Sequence, residues 1–114
     1  MDLFPNLKKG KWVRINLNSE SKKSVKDLSD PKVCTQLIVS LQKNKGAEYS
    51  YGGYLEDRSY FLRNCYNQME KAFIHLGIDF NIPAETQVAL LRRAKIVHIM
   101  KDKDMNGGWG ERVL

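Results

Sequence analysis

The chain has 114 residues, of which 42% are hydrophobic and 28% are charged. This size suits one small domain with a single core, and this mixture excludes a disordered or collagen-like chain. No apolar run approaches the roughly 18 residues of a membrane-spanning helix, and the first residues lack the basic-then-apolar order of a secretory signal. We therefore expect a domain with no membrane span, and a cytoplasmic location if Met1 is the native start.

Basic residues outnumber acidic ones, with 19 Lys and Arg against 13 Asp and Glu and a net charge of +6. Such a balance favours acidic partners in general. The basic residues stand in short, separated groups, so the pattern favours a solvated surface over a polyanion-binding groove. Nucleic acid is therefore not the expected partner. A nucleic-acid binder would lose affinity steeply as salt is added.

Apolar periodicity predicts the first elements of the chain. Alternation over residues 12–17 predicts a strand, and the polar residues 18–29 predict a loop. Asp30 is a typical N-cap and a proline follows it, after which apolar residues recur at helical spacing. The sequence therefore predicts a helix over residues 31–44, which Gly46 closes just beyond its carboxyl end.

The two cysteines, Cys34 and Cys65, are too far apart in sequence for a CxxC zinc or redox motif. Cys34 falls on the apolar face of the predicted helix, where a small hydrophobic side chain is sufficient. Both cysteines are therefore expected to be buried thiols.

The glycine pair Gly52 and Gly53 lies among five aromatic residues, which are Tyr49, Tyr51, Tyr54, Tyr60 and Phe61. Adjacent glycines permit positive φ, which predicts a tight turn that presents Glu56, Asp57 and Arg58 at the surface. The aromatic residues have two interpretations, as packing residues or as one wall of a substrate cleft. In the second, Tyr51 and Tyr54 line the cleft, and Asp57 and Arg58 form an ion pair that holds the loop.

The rest of the chain is predicted to be strands joined by short turns. Strands are expected at residues 70–81, 86–91 and 95–100, followed by a hairpin connection at 101–108 and a further strand from 109 to 114. The fold class is therefore α+β, with a β-dominated antiparallel carboxyl half and one amino-terminal helix.

His75 and Asp79 lie in a segment of alternating apolar and polar residues, which predicts a half-buried strand with both side chains on one face. In a flat strand they would lie roughly 13 Å apart. A single zinc ion cannot bridge that gap, so a shared site requires a bend, which Gly77 can provide. From the residues alone, the two side chains are either a hydrogen-bonded pair or two zinc ligands.

The stretch HLGIDFNIPAETQV resembles the HxGxD-x-x-x-P-A-G-T-x-V signature of lysostaphin-like peptidoglycan endopeptidases. AKIVHIMKDKDMNGGWGERVL is similar to that family's next strand, hairpin and strand, and YGGYLEDRSYF is similar to a branch with GGYxEDR before the metal motif. The resemblance covers residues 51–114 and implies part of a zinc-containing β-sandwich, the duplicated hybrid motif. It implies that His75 and Asp79 bind zinc, which activates water against peptide bonds of the bacterial cell wall.

Within the single domain that the length predicts, residues 1–48 are expected to be a strand and helix extension. The resemblance implies that residues 49–114 are a partial metallopeptidase-like β domain. The family's third zinc ligand belongs to an HxH motif that would follow Leu114. His98, the only other histidine, stands on the polar face of a predicted strand and is not an expected ligand. Glu85 also replaces a glycine of the family's pattern, and residues 92–95 replace a glycine-containing turn.

These departures predict a weak or vestigial zinc site and no hydrolysis by the chain as given, because catalytic zinc usually has three protein ligands. The alternative is a non-catalytic binding or regulatory module whose degenerate cleft holds a cell-wall peptide or a partner protein. An open sheet edge at residues 109–114 would also favour a homo-oligomer.

Overall fold

A computed structural model describes residues 2–28, 30–63, 73–101 and 110–114. These residues form the helices α1 (Leu17–Lys23) and α2 (Pro31–Asn44) and the strands β1 (Trp12–Arg14), β2 (Tyr49–Gly52), β3 (Glu56–Asp57), β4 (Ile74–His75), β5 (Asp79–Asn81), β6 (Ile99–Lys101) and β7 (Glu111–Val113). The α+β class is therefore confirmed, with two helices in place of the one expected. No helix in the described ranges has the length and hydropathy to cross a membrane.

The chain divides into two compact units. Gly10–Ile82 forms one unit, and Met1–Lys9 together with Pro83–Leu114 forms the other. The first contains both helices and strands β1 to β5, and the second contains β6 and β7.

The Gly10–Ile82 unit is built on a three-stranded sheet in the order β1-β2-β5, where β1 is parallel and β5 antiparallel to the central strand. Tyr51 pairs with Phe80, and both rings lie near Trp12 on one face. The register places Ser50 and Asn81 on the other face. There the side-chain amides of Gln42 and Asn81 both donate hydrogen bonds to Oγ of Ser50. Helix α2 therefore covers the second face.

The predicted strand at 12–17 begins where expected but ends at Arg14. Asn16 is the N-cap of α1, since its side-chain oxygen accepts the backbone N–H of Ser19 at 2.8 Å. The loop predicted for 18–29 is therefore wrong over its first residues, which are helical. A polar composition concealed a capped helix whose last turn is basic, as the helix dipole favours.

Helix α2 matches the prediction at both ends. The Asp30 carboxylate accepts the backbone N–H of Lys32 at 2.8 Å, and Gly46 adopts a φ of +58° just beyond the helix. Cys34 is half-buried on this helix, so the thiol is less buried than expected. Cys65 lies outside the described residues.

The strand predicted at 70–81 is two strands in two sheets over its described part. Strand β4 pairs with β3, whereas β5 pairs with β2, so the chain leaves one sheet at His75 and enters the other at Asp79. A bend at Gly77 separates them, as expected, although its φ is not positive. The apolar side chains of Ile74, Leu76 and Ile78 are exposed, so the covered side of this segment is the polar one.

The second unit contains an antiparallel pair, β6 and β7, extended by backbone hydrogen bonds between His98 and Leu114. This pair agrees with the predicted hairpin, whose connection over residues 102–109 lies outside the described residues. The strand predicted at 86–91 is wrong, because those residues are irregular. Strand β6 begins only at Ile99, so most of the strand predicted at 95–100 is also irregular.

Candidate metal centre

The break in the strand brings His75 and Asp79 together. Nε2 of His75 lies 3.5 Å from Oδ1 of Asp79, and the two side chains are 23% and 43% exposed. In a flat strand the same residues would be roughly 13 Å apart. The close approach therefore depends on the two residues belonging to different sheets, with Gly77 between them.

The orientation of the His75 ring is set by Gly53. Nδ1 of His75 lies 2.9 Å from the carbonyl oxygen of Gly53, which also accepts the backbone N–H of Glu56 at 3.0 Å. A carbonyl oxygen only accepts hydrogen bonds, so Nδ1 carries the proton and donates it. In the neutral imidazole, Nε2 then presents a lone pair to the Asp79 carboxylate.

Gly53 has no room for a side chain. Its φ is +103°, and a Cβ atom there would lie 2.5 Å from both Nδ1 of His75 and Nη2 of Arg58. The positive φ expected of the glycine pair is thus confirmed at this residue. The glycine allows an imidazole and a guanidinium to converge on one stretch of backbone.

Arg58 joins two carboxylates. Its Nε donates to Oε2 of Glu56 at 2.9 Å, and its Nη2 donates to Oδ2 of Asp79 at 2.5 Å. The side chain of Glu56 is 2% exposed and that of Arg58 is 11% exposed. Burial favours the uncharged form of Arg58, but its hydrogen bonds to Asp79 and Glu56 outweigh this and raise its pKa.

The amino end of α1 holds the loop that carries these residues. The backbone N–H of Asn18 donates to Oε1 of Glu56 at 3.3 Å, and its side-chain oxygen accepts the backbone N–H groups of Tyr60 and Phe61. Asn18 is itself buried. The loop is therefore fixed from both sides of Arg58.

Asp57 points away from this network. Residues along a strand alternate between faces, so Glu56 and Arg58 are buried while Asp57 is exposed. The surface position expected for Glu56 and Arg58 is thus wrong. The expected ion pair between Asp57 and Arg58 is also wrong, because Arg58 pairs with Glu56 and Asp79 instead. Hydrogen bonds from the backbone and side chain of Ser59 lower the pKa of Asp57.

The charges of Arg58 and Asp79 both act on the thiol of Cys34. Burial raises the pKa of its thiol, the Arg58 charge opposes that rise, and the Asp79 charge adds to it. The thiol is therefore favoured over the thiolate, which is the form that binds metals.

The distance between the two donor atoms fits a zinc ion. Two ligands of a tetrahedral zinc, each about 2.1 Å from the metal, lie about 3.4 Å from each other. The 3.5 Å between Nε2 of His75 and Oδ1 of Asp79 matches that edge. The hydrogen bond from Nδ1 to a backbone carbonyl is also typical of a metal-binding histidine.

A larger donor set is not formed by the described residues, among which no three His, Cys, Asp or Glu side chains group around a point. Of the four predicted cleft residues, only Arg58 reaches the pair. Tyr51 lies on the sheet face opposite Asp79, and Tyr54 is exposed. His98 belongs to the second compact unit.

Sequence reasoning did not identify Gly53, Glu56 and Asn18 as parts of this centre. The alternation in Glu56, Asp57 and Arg58 contained the relevant signal, because only the first and third of these residues share a face. No such signal exists for Asn18, which reaches Glu56 from 38 residues away.

Comparison with known proteins gave no match to a protein-family model, to a curated protein or to a solved structure. The family resemblance therefore rests on the motifs in the sequence, and the site rests on its own geometry.

Proposed function

We propose that the chain is a member or fragment of the lysostaphin-like zinc metallopeptidase family, with a weak zinc site at His75 and Asp79. The observation that supports it most directly is the arrangement of two donor atoms 3.5 Å apart. With Nδ1 donating to Gly53, a lone pair on Nε2 faces an anionic oxygen. A positive charge between them, either a proton or a metal ion, relieves that repulsion.

The chain's own residues supply two ligands and their orientation. His75 donates a nitrogen lone pair, Asp79 donates a carboxylate oxygen, and Gly53 fixes the imidazole ring. A zinc ion held there would lower the pKa of a bound water and polarise a peptide carbonyl. Catalytic zinc usually has three protein ligands, so we expect no hydrolysis of cell-wall peptides by the 114 residues alone.

Zinc titration into the metal-free full chain tests the site. We expect wild type to bind zinc and His75→Ala to lose that binding, because one of two ligands is removed. His98→Ala is the matched control, since it removes the chain's other histidine, and it should bind as wild type does. Calorimetry measures all three. Wild-type binding that persists in His75→Ala would contradict the assignment.

A cross-bridge peptide assay with added zinc tests the expected lack of hydrolysis. Product should stay at the level of a reaction without protein. Turnover that disappears in His75→Ala would show that this chain is an active peptidase.

The second candidate is a non-catalytic module that holds a peptide or a partner protein. The partial exposure of His75 and Asp79 favours it, because an outside donor group can approach the pair. Such a module would bind cell-wall peptides more tightly with zinc than without it. Peptide affinity that does not change with zinc would count against a metal-dependent module.

A further inference from the structure

Asp79 offers two oxygens, and the structure assigns them different neighbours. Oδ1 faces Nε2 of His75, while Oδ2 accepts Nη2 of Arg58. With Oδ2 engaged, Oδ1 is the oxygen directed to the position beside His75. The arrangement favours a monodentate carboxylate ligand with a defined direction.

The side chain of Asp79 is 43% exposed, so its surroundings restrict it less than they restrict a core residue. An exposed aspartate ordinarily samples several staggered rotamers. Arg58 is much better fixed, because it is 11% exposed and is held by Glu56. The guanidinium can therefore select one orientation of the carboxylate.

Glu56 has two effects on Arg58. It holds the guanidinium through Nε, and it is itself held by the backbone N–H of Asn18. It also offsets the arginine's charge, so that Glu56, Arg58 and Asp79 together carry a net charge of −1. A cation approaching Oδ1 then meets a group with the net charge of a single aspartate.

We propose that Arg58, supported by Glu56, is a positioning residue that aims Oδ1 of Asp79 at the cation position beside His75. This inference rests on the proposed function, because the cation is the one assigned to His75 and Asp79. It extends that function by identifying the residues that make an exposed carboxylate a directed ligand. Partners of this kind typically change metal affinity by ~10- to 100-fold when removed.

Arg58→Gln tests the inference, with Arg63→Gln as the matched control. Both variants lose one positive charge, but Arg63 contacts Ser21 and Tyr60 and not the metal centre. We expect zinc affinity to fall ~10- to 100-fold in Arg58→Gln. Affinity in Arg63→Gln should stay close to wild type.

A purely electrostatic effect of Arg58 predicts the opposite change in zinc affinity. If Arg58 only repelled the cation, its removal would strengthen zinc binding. An equal or higher affinity in a folded Arg58→Gln protein would therefore overturn the positioning role. Because this substitution leaves Glu56 without its buried partner, the double variant Glu56→Gln/Arg58→Gln provides a second test with both charges removed. It too should bind zinc more weakly than wild type.

A measurement without metal separates the two proposals. NMR three-bond couplings of the metal-free chain report the χ1 angle of Asp79. One rotamer is expected in wild type and in Arg63→Gln, and averaging over several is expected in Arg58→Gln. Unchanged couplings in Arg58→Gln overturn the positioning role. Absence of zinc binding by wild type overturns the proposed function instead.

Discussion

Both compact units contain an ion pair between an acidic and a basic side chain, but the two pairs differ in burial. In Gly10–Ile82, Glu56 and Arg58 are buried and form an ion pair next to the partly exposed Asp79. In the other unit, the ion pair of Lys101 and Glu111 is exposed, with side chains 73% and 76% accessible. The two pairs differ in burial, and burial decides how much breaking an ion pair costs.

The largest expected effect comes from removing one member of the buried pair. Glu56→Ala takes away the partner of Arg58 and the acceptor of the Asn18 N–H. Breaking a buried pair in this way costs about 3 kcal/mol or more, so the unfolding of Gly10–Ile82 should shift accordingly. Urea unfolding followed by circular dichroism measures the change.

Glu111→Ala is the matched control in the second unit. It removes the same kind of side chain from an exposed pair, so its cost should stay below about 1 kcal/mol. Similar costs for the two variants would show that burial does not distinguish the units.

A smaller effect is expected at Gly53. Gly53→Ala introduces a Cβ at φ +103°, within 2.5 Å of the His75 ring and the Arg58 guanidinium. Strain of this kind costs about 1 to 3 kcal/mol, and displacement of the His75 ring should weaken zinc binding as well. Thermal unfolding and zinc titration measure the two effects.

Gly110→Ala is the matched control, because it also introduces a Cβ at a positive φ, but in the other unit. Gly110 has φ +70°, but none of the described residues has an atom within 4 Å of its hypothetical Cβ. Only the conformational strain remains there, and zinc binding should not change. Equal effects on zinc binding in the two variants would argue against Gly53 as the residue that orients His75.

The sequence predicted helix α2 and the convergence of His75 with Asp79 because both depend on local signals. Asp30, the proline after it and Gly46 define the helix within a few residues, and Gly77 lies between the two site residues. Residues 86–91 were also predicted to form a strand but are irregular. An apolar segment forms a strand only where another strand is available to pair, which the sequence does not reveal.

The ion-pair network could not be predicted for a related reason. Two acidic residues, Glu56 and Asp57, directly precede Arg58 in the sequence. Arg58 pairs with Glu56 and with Asp79, which is 21 residues away. That choice depends on which face of β3 is covered, and α1 provides part of the cover through Asn18. The helix had itself been predicted as a loop, so its contact with Glu56 could not be anticipated.

The smallest expected effect concerns Asp57, on the exposed face of the same strand. Hydrogen bonds from the backbone and hydroxyl of Ser59 hold its pKa below the ordinary value. A lowered folded-state pKa contributes stability that is present above the unfolded-state pKa and is lost as pH falls through the folded-state pKa. Ser59→Ala removes the hydroxyl bond and keeps the backbone bond, so the pKa of Asp57 should rise while staying below that of a free aspartate. An NMR titration of the carboxyl carbon measures it. An unchanged pKa in Ser59→Ala would show that the hydroxyl does not contribute to the shift.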